Sequence, residues 1–170
     1  ELDLPTRKFI GVKPNAMLSL KSRTRNILSD QLSGHEILTY SFISEKLLER
    51  VEADPKNSYK IVNSISPELQ CFRQQIVPSL LDKVRENIKS GHKDFMLYEL
   101  NQVFRKDDGF TDENVPVPHN QLGIVVLGDF YKVKDIFTSL WPEKEITYSK
   151  FDDKNALYLE PAHSANLYIN

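Results

Sequence analysis

Four histidines, His35, His92, His119 and His163, are the first side chains to weigh for metal ligation or proton transfer. They are scattered through the chain with no paired spacing and no strong carboxylate close in sequence. Solvated loop histidines are therefore expected, and no metal site. Asp107-Asp108 and Asp152-Asp153 are charge pairs in turn-like stretches, which predicts exposed carboxylates and not a paired acid and base. Ser164 stands in no nucleophile-elbow pattern. The 6 glycines never gather into a phosphate-cradling loop. Cys71, the one cysteine, permits neither an internal disulfide nor a Cys-based zinc cluster and is expected to be a buried packing thiol. Arg73 precedes the main helix and is expected to pair with a carboxylate such as Glu68 or Glu99. Lys21, Arg23 and Arg25 form a short basic stretch on the first helix, read first as a solvated face. Phe130 and Trp141 lie on the last helix, where aromatics are core unless left exposed as interface anchors.

The elements that must position these residues follow from periodicity. Residues 1–15 hold Pro5 and Pro14 and read as a linker arm; 16–170 read as one module. Met17, Leu20, Thr24, Ile27, Leu28 and Leu32 line one side of a first helix, with Ser33-Gly34 as its stop. Glu36–Ile43 is rich in β-branched and aromatic residues and reads as a strand. A short helix over Glu45–Val51 and a brief strand over Tyr59–Val62 come next. Ser66-Pro67-Glu68 is a helix start signal. Pro78 opens the main helix, whose face is Leu80, Leu81, Val84 and Ile88, and Gly91 ends it. Asp94–Phe104 is a long strand with apolar residues at both parities, which predicts burial on both faces and a central place in a sheet. Residues 107–119 form a loop, Gln121–Leu127 a strand, and Phe130–Trp141 a helix stopped by Pro142. Ile146–Phe151, Ala156–Leu159 and Ala165–Ile169 read as three short strands. The expected fold class is α+β, with most strands in one mainly antiparallel sheet flanked by helices.

Composition narrows the function. A hydrophobic share of 40%, a charged share of 27% and a net charge of −2 describe an ordinary globular domain. A pI of 6.1 argues against a free-standing nucleic-acid binder, which would carry a strongly basic face. No apolar run approaches the ~18–20 residues that cross a bilayer, so no membrane association is expected. The start, Glu1-Leu2-Asp3-Leu4-Pro5, lacks the pattern of a signal peptide. It also lacks Met and begins in linker-like sequence, so the chain is expected to be part of something longer. Single-cysteine usage is compatible with a reducing, cytoplasmic location.

Three stretches, taken together, carry a family resemblance. Asn63-Ser64-Ile65-Ser66-Pro67-Glu68-Leu69, followed by Phe72-Arg73 and Pro78-Ser79-Leu80-Leu81, resembles a segment of the bacterial phenylalanyl-tRNA synthetase β subunit. Ser64 stands there for the usual Pro and Ser79 for the Gly. Phe95–Phe104 is similar to that family's "L-F-E-I-G-x-V-F" strand. In it Asn101 takes the place of Gly, a residue type that tolerates positive φ. Asp129-Phe130-Tyr131-Lys132-Val133-Lys134 is similar to its "D-F-Y-D-L-K-G" helix opening, with Asp135 for the Gly. His35–Phe42 and Pro161–Ala165 give weaker matches. Arg73 also stands where the family usually has Arg, so a contact across an α–β interface is the alternative to its internal pairing.

The resemblance implies a class II aminoacyl-tRNA synthetase fold. It also implies a catalytic-like but non-catalytic module that braces the active α subunit in an (αβ)2 enzyme. That enzyme attaches phenylalanine to its tRNA with ATP and Mg2+. Those cofactors belong to the α chain by resemblance, and none is expected in this chain. Class II sites hold the ATP α-phosphate with a strand-borne Arg in an "F-R-x-E" context. Phe104-Arg105-Lys106-Asp107 resembles a relic of it, with Asp107 where the Glu should be. Arg105 retains the planar fork that binds oxyanions bidentately. No later Gly-rich strand with a second Arg follows, so much of the electrostatic stabilisation of adenylate formation is missing. No catalytic residue is therefore expected. Two other readings remain: an autonomous ATP-binding class II-like enzyme, and a tRNA-contact domain built on Lys21, Arg23 and Arg25. Family members continue past the last match, so the module is expected to extend beyond Asn170.

Overall fold

In the computed structural model, residues 11–129, 131–151 and 158–169 are described. The centre is a three-stranded sheet in which β4 (Phe95–Phe104) lies between β1 (His35–Glu36) and β5 (Pro118–Leu127). β4 and β5 run antiparallel in a continuous register from Phe95 opposite Leu127 to Phe104 opposite Pro118. β1 pairs parallel to β4, with His35 opposite Leu97. The apolar residues at both parities of β4 are buried, as the sequence predicts of a central strand: Met96 and Tyr98 on one face, Leu97 and Val103 on the other.

Helices cover both faces. On one, the π turn over Ile27–Gln31 that follows α1 (Ala16–Asn26), together with α4 (Tyr131–Leu140), brings Ile27, Leu28, Ile136 and Leu140 onto Met96 and Tyr98. On the other, α3 (Val77–Lys89) packs Ile76 and Leu80 against Val103 and Val125. Gly123 is the reason α3 lies so close: a Cβ there would sit 2.7 Å from Ile76 Cγ2. Two further strand pairs flank this core, β2 (Phe42–Ile43) with β3 (Cys71–Phe72), and β6 (Ile146–Lys150) with β7 (Ala165–Ile169), both antiparallel. The chain is thus α+β and mainly antiparallel, but its strands divide among three sheets where one was expected.

Local differences have identifiable causes. The first helix stops at Ser33-Gly34 as expected, but without a left-handed glycine. Its α-helical part, α1, ends at Asn26 and widens into a π turn over Ile27–Gln31, and Leu32 N donates to Ile27 O at 3.2 Å. Ser33 takes the positive φ of 55°. Gly34 is needed for space, since a Cβ would lie 2.9 Å from Leu28 O and against the Met96 and Tyr98 side chains. The first turns of that helix also leave Met17 and Leu20 exposed, although they lie on its apolar side. The strand expected over 36–43 is interrupted, and its two ends join different sheets. Between them Thr39 turns its N–H and hydroxyl to Glu99 at 3.2 and 2.6 Å, away from any ladder, and Leu38 and Tyr40 are exposed.

Ser66-Pro67-Glu68 starts no helix. Ser66 Oγ accepts from Glu68 N at 3.1 Å and closes a single turn, because Gln70 and Phe72 are drawn into extended bonds to Ile61 N and Tyr59 O. The strand expected at Tyr59–Val62 reduces to one bridge, Lys60 to Cys71. α2 (Glu45–Arg50) and α3 match their patterns, with Ser44 capping the first and Gly91 following the second at φ 94°. Asp129 Oδ1 accepts from Tyr131 N at 3.0 Å and starts α4. Of the strand expected at Ala156–Leu159, Ala156 and Leu157 lie outside the described residues. Tyr158 and Leu159 form a turn.

Candidate functional site

Arg73 and Glu99 form an ion pair at 2.9 Å, and both side chains are 0% exposed. Arg73 is delivered by the end of β3, just before α3, and Glu99 by the middle of β4. Of the two carboxylates named for Arg73, it meets Glu99; Glu68 is exposed elsewhere. Every donor group of the guanidinium is engaged: Nε donates to Gln102 O at 3.1 Å, Nη1 to Thr39 Oγ1 at 2.7 Å and Nη2 to Glu99 Oε1. Glu99 also accepts from Thr39 N, from the Thr39 hydroxyl, and from Asn101 Nδ2 at 2.9 Å. Asn101 adopts no positive φ; it replaces a Gly by serving this network with its amide.

Burial alone would push the Glu99 carboxyl up. The hydrogen bonds from Arg73, Thr39 and Asn101, together with the Arg73 charge, outweigh it and hold the pKa below 4.5. A buried ion is tolerated when paired and fully hydrogen-bonded. The backbone is stitched at the same place, with Arg73 N donating to Ser41 O at 3.0 Å and Phe104 N to Arg73 O at 2.9 Å. The cluster therefore joins residues 39–41, 73 and 99–104. Its chemical capacity is spent inside the protein, so its work is architectural.

Arg105 sits where β4 ends, exposed. Among the described residues its guanidinium meets no hydrogen-bond or ion-pair partner. Asp107 is exposed beside it, while Asp108 pairs with His119 Nε2 at 3.0 Å. Trp141 is half-buried, stacked on Phe137 with ring centroids 6.2 Å apart, and packed against the α1–α4 core. Phe130 lies outside the described residues, as do Asp152 and Asp153.

The remaining candidates stay apart. His35 and His92 are exposed on β1 and after α3, and His163 meets Glu160 at 3.0 Å. Among the described residues no three His, Cys, Asp or Glu gather as metal ligands. Cys71 is fully buried, and that burial pushes its thiol pKa up. The Ser164 hydroxyl donates to Glu160 O at 2.7 Å. In the basic stretch, Arg25 is held by Glu36 at 2.8 and 3.0 Å and Lys21 by Asn120, which leaves Arg23 exposed. Thr39 and Asn101 were not foreseen as partners of the pair. Their only signal was position within strand-like runs, which says nothing of what a side chain meets across the fold. Among the described residues no helix is long and apolar enough to cross a membrane.

This antiparallel pair with helices on both faces is an arrangement the chain shares with solved class II aminoacyl-tRNA synthetases. A solved structure of the pyrrolysyl-tRNA synthetase PylSc from Desulfitobacterium hafniense superposes with a TM-score of 0.63 at 18% identity. It covers 81% of this chain and 50% of that one. A second structure of the pyrrolysyl-tRNA synthetase from that organism gives 0.61, also at 18% identity, over 79% and 51% of the two chains. The family described as the phenylalanyl-tRNA synthetase beta chain CLM domain matches residues 2–170, and the chain belongs to that family.

Among curated relatives, the phenylalanine–tRNA ligase beta subunit of Carboxydothermus hydrogenoformans is 29% identical over 165 residues, covering 86% of this chain and 20% of that protein. The corresponding subunit of Clostridium tetani is 25% identical, covering 99% and 22%. The chain thus spans about a fifth of the length of the curated relatives it matches.

Proposed function

We propose that this chain is a non-catalytic module that braces the catalytic α subunit of an (αβ)2 phenylalanine–tRNA ligase in the cytoplasm. The observation that carries this reading is the match to the beta chain domain along residues 2–170. ATP and Mg2+ act on the α chain in this reading, and tRNA is met through the assembled enzyme. Two features of this chain support it. Its buried Arg, Arg73, is saturated by Glu99 and its neighbours and is not free for a substrate. Arg105 alone represents the two arginines of a class II phosphate clamp, and Asp107 follows it where Glu is required.

Co-purification with the α subunit of the same organism, alongside ATP titration of this chain, tests the reading. A stable complex and no saturable ATP binding are expected, with Arg105→Ala leaving phenylalanylation by the complex within about twofold. ATP binding by this chain alone, abolished by Arg105→Ala, would establish an autonomous nucleotide site instead.

A further inference from the structure

The connection between the two longest strands, residues 105–117, is built as a strap tied down far from its own ends. Its first part is a 3-10 turn over Lys106–Asp108. Its tip closes on itself through Thr111 N to Val115 O at 2.8 Å and Asn114 N to Thr111 O at 2.9 Å. Val117 N returns to Gly109 O at 3.2 Å. Across the base of the strap runs the segment 56–59, about fifty residues earlier in the chain. Tyr59 is half-buried there, its ring edge-on to Phe110 at 4.9 Å and to Phe72 at 6.4 Å. Its hydroxyl donates to Gly109 O at 3.0 Å, with Lys106 O at 3.3 Å as second acceptor. Lys106 Nζ reaches back to Lys56 O at 2.8 Å. On the far side, His119 at the start of β5 holds Asp108 at 3.0 Å.

We infer that Tyr59 is a latch that holds the 105–117 strap, and with it the turn beside Arg105, in one conformation before any ligand arrives. The physical basis is the coupling of two interactions in one side chain. The ring fixes Phe110 by edge-to-face contact, and the hydroxyl adds a second donor to Gly109 O, which already accepts from Val117 N, and to Lys106 O, which accepts from Gly109 N. A connection of this length would otherwise sample many conformations, since its closure entropy is unopposed by a core of its own. The Phe72–Phe104 ring contact at 4.8 Å ties the latch to β4, so the strap moves only if Tyr59 lets go.

Residue-resolved hydrogen exchange on the intact protein, with no nucleotide present, tests the latch. The amides of Gly109, Thr111, Asn114 and Val117 are expected to be protected. Tyr59→Phe keeps the ring and should lower that protection about tenfold, the effect of one net hydrogen bond. Amides of the β4–β5 ladder should be unchanged. Tyr59→Ala should loosen the same four amides further; where it also disturbs the ladder, Tyr59→Phe alone decides. Fast exchange of the four amides in the wild type overturns the inference, as does protection that survives Tyr59→Phe or that arrives only on adding ATP.

Discussion

The fate of Arg73 turns on where its carboxylate partner is supplied. A lone buried guanidinium would be prohibitive, and removing one member of a buried pair typically costs about 3–5 kcal/mol because the other charge is stranded. Glu99→Gln keeps the shape and most acceptors but leaves Arg73 unneutralised with both side chains fully buried. It should lower the unfolding free energy by that order, read as a lower denaturant midpoint with an unchanged slope. A loss below about 0.5 kcal/mol would show that the pair is dispensable. The pH dependence has a definite sign. Glu99 titrates below 4.5 in the folded state, so its stabilisation is present above 4.5 and is lost as pH falls through the folded value. Wild-type stability should therefore drop on acidification below 4.5, and Glu99→Gln should lack that component, as read from urea midpoints across pH. Arg73 could be assigned a carboxylate from the sequence alone, but Glu68 and Glu99 were equal candidates until β3 and β4 were brought together.

Among the elements, the contact of α3 with β5 rests on the absence of one side chain. Gly123→Ala would place a methyl 2.7 Å from Ile76 Cγ2, 3.0 Å from Ile76 Cβ and 3.2 Å from Leu80 Cδ1. Ile76 and Leu80 are fully buried, so neither can step aside, and α3 must shift. A loss of about 1–3 kcal/mol is expected. Gly11→Ala, with nothing within 4 Å, is the control and should leave the melting temperature in place. Equal melting temperatures for the two variants would mean that α3 is not seated on β5 as described. The elements legible beforehand were those whose signal is local and repeated: α3, α4, β4 and β5. Those that were misread, the strand over 36–43 and the helix start at Ser66, were decided by bonds to other segments: Thr39 to Glu99, and Gln70 and Phe72 to Ile61 and Tyr59. A side chain such as Thr39, bonded to a carboxylate 60 residues away, leaves no mark on its neighbours.

At the scale of the whole molecule, charge distribution decides what kind of surface is on offer. The net charge is −2, and in the basic stretch of α1 Glu36 neutralises Arg25, while Lys21 keeps its charge against the neutral amide of Asn120 and Arg23 is exposed, a weak cationic footprint on an acidic chain. A tRNA face needs free cations and would show a steep salt dependence as counterions are released. Replacing Lys21, Arg23 and Arg25 together with Ala should thus change tRNA affinity of the assembled enzyme by less than about twofold. A tenfold loss with a shallower salt slope would instead assign tRNA contact to α1.

The sequence by itself determined the α+β class, the central place of β4, the opening of the main helix at Pro78 and its end at Gly91, and the family, because periodicity and ordered motifs are local properties that survive substitution. Only the tertiary structure decided that Glu99 rather than Glu68 neutralises Arg73, that Asn101 serves with its side chain and not with its φ, and that Tyr59 holds the strap beside Arg105. Those outcomes depend on which groups meet after burial, where each polar atom must find a partner. No spacing along the chain encodes that meeting.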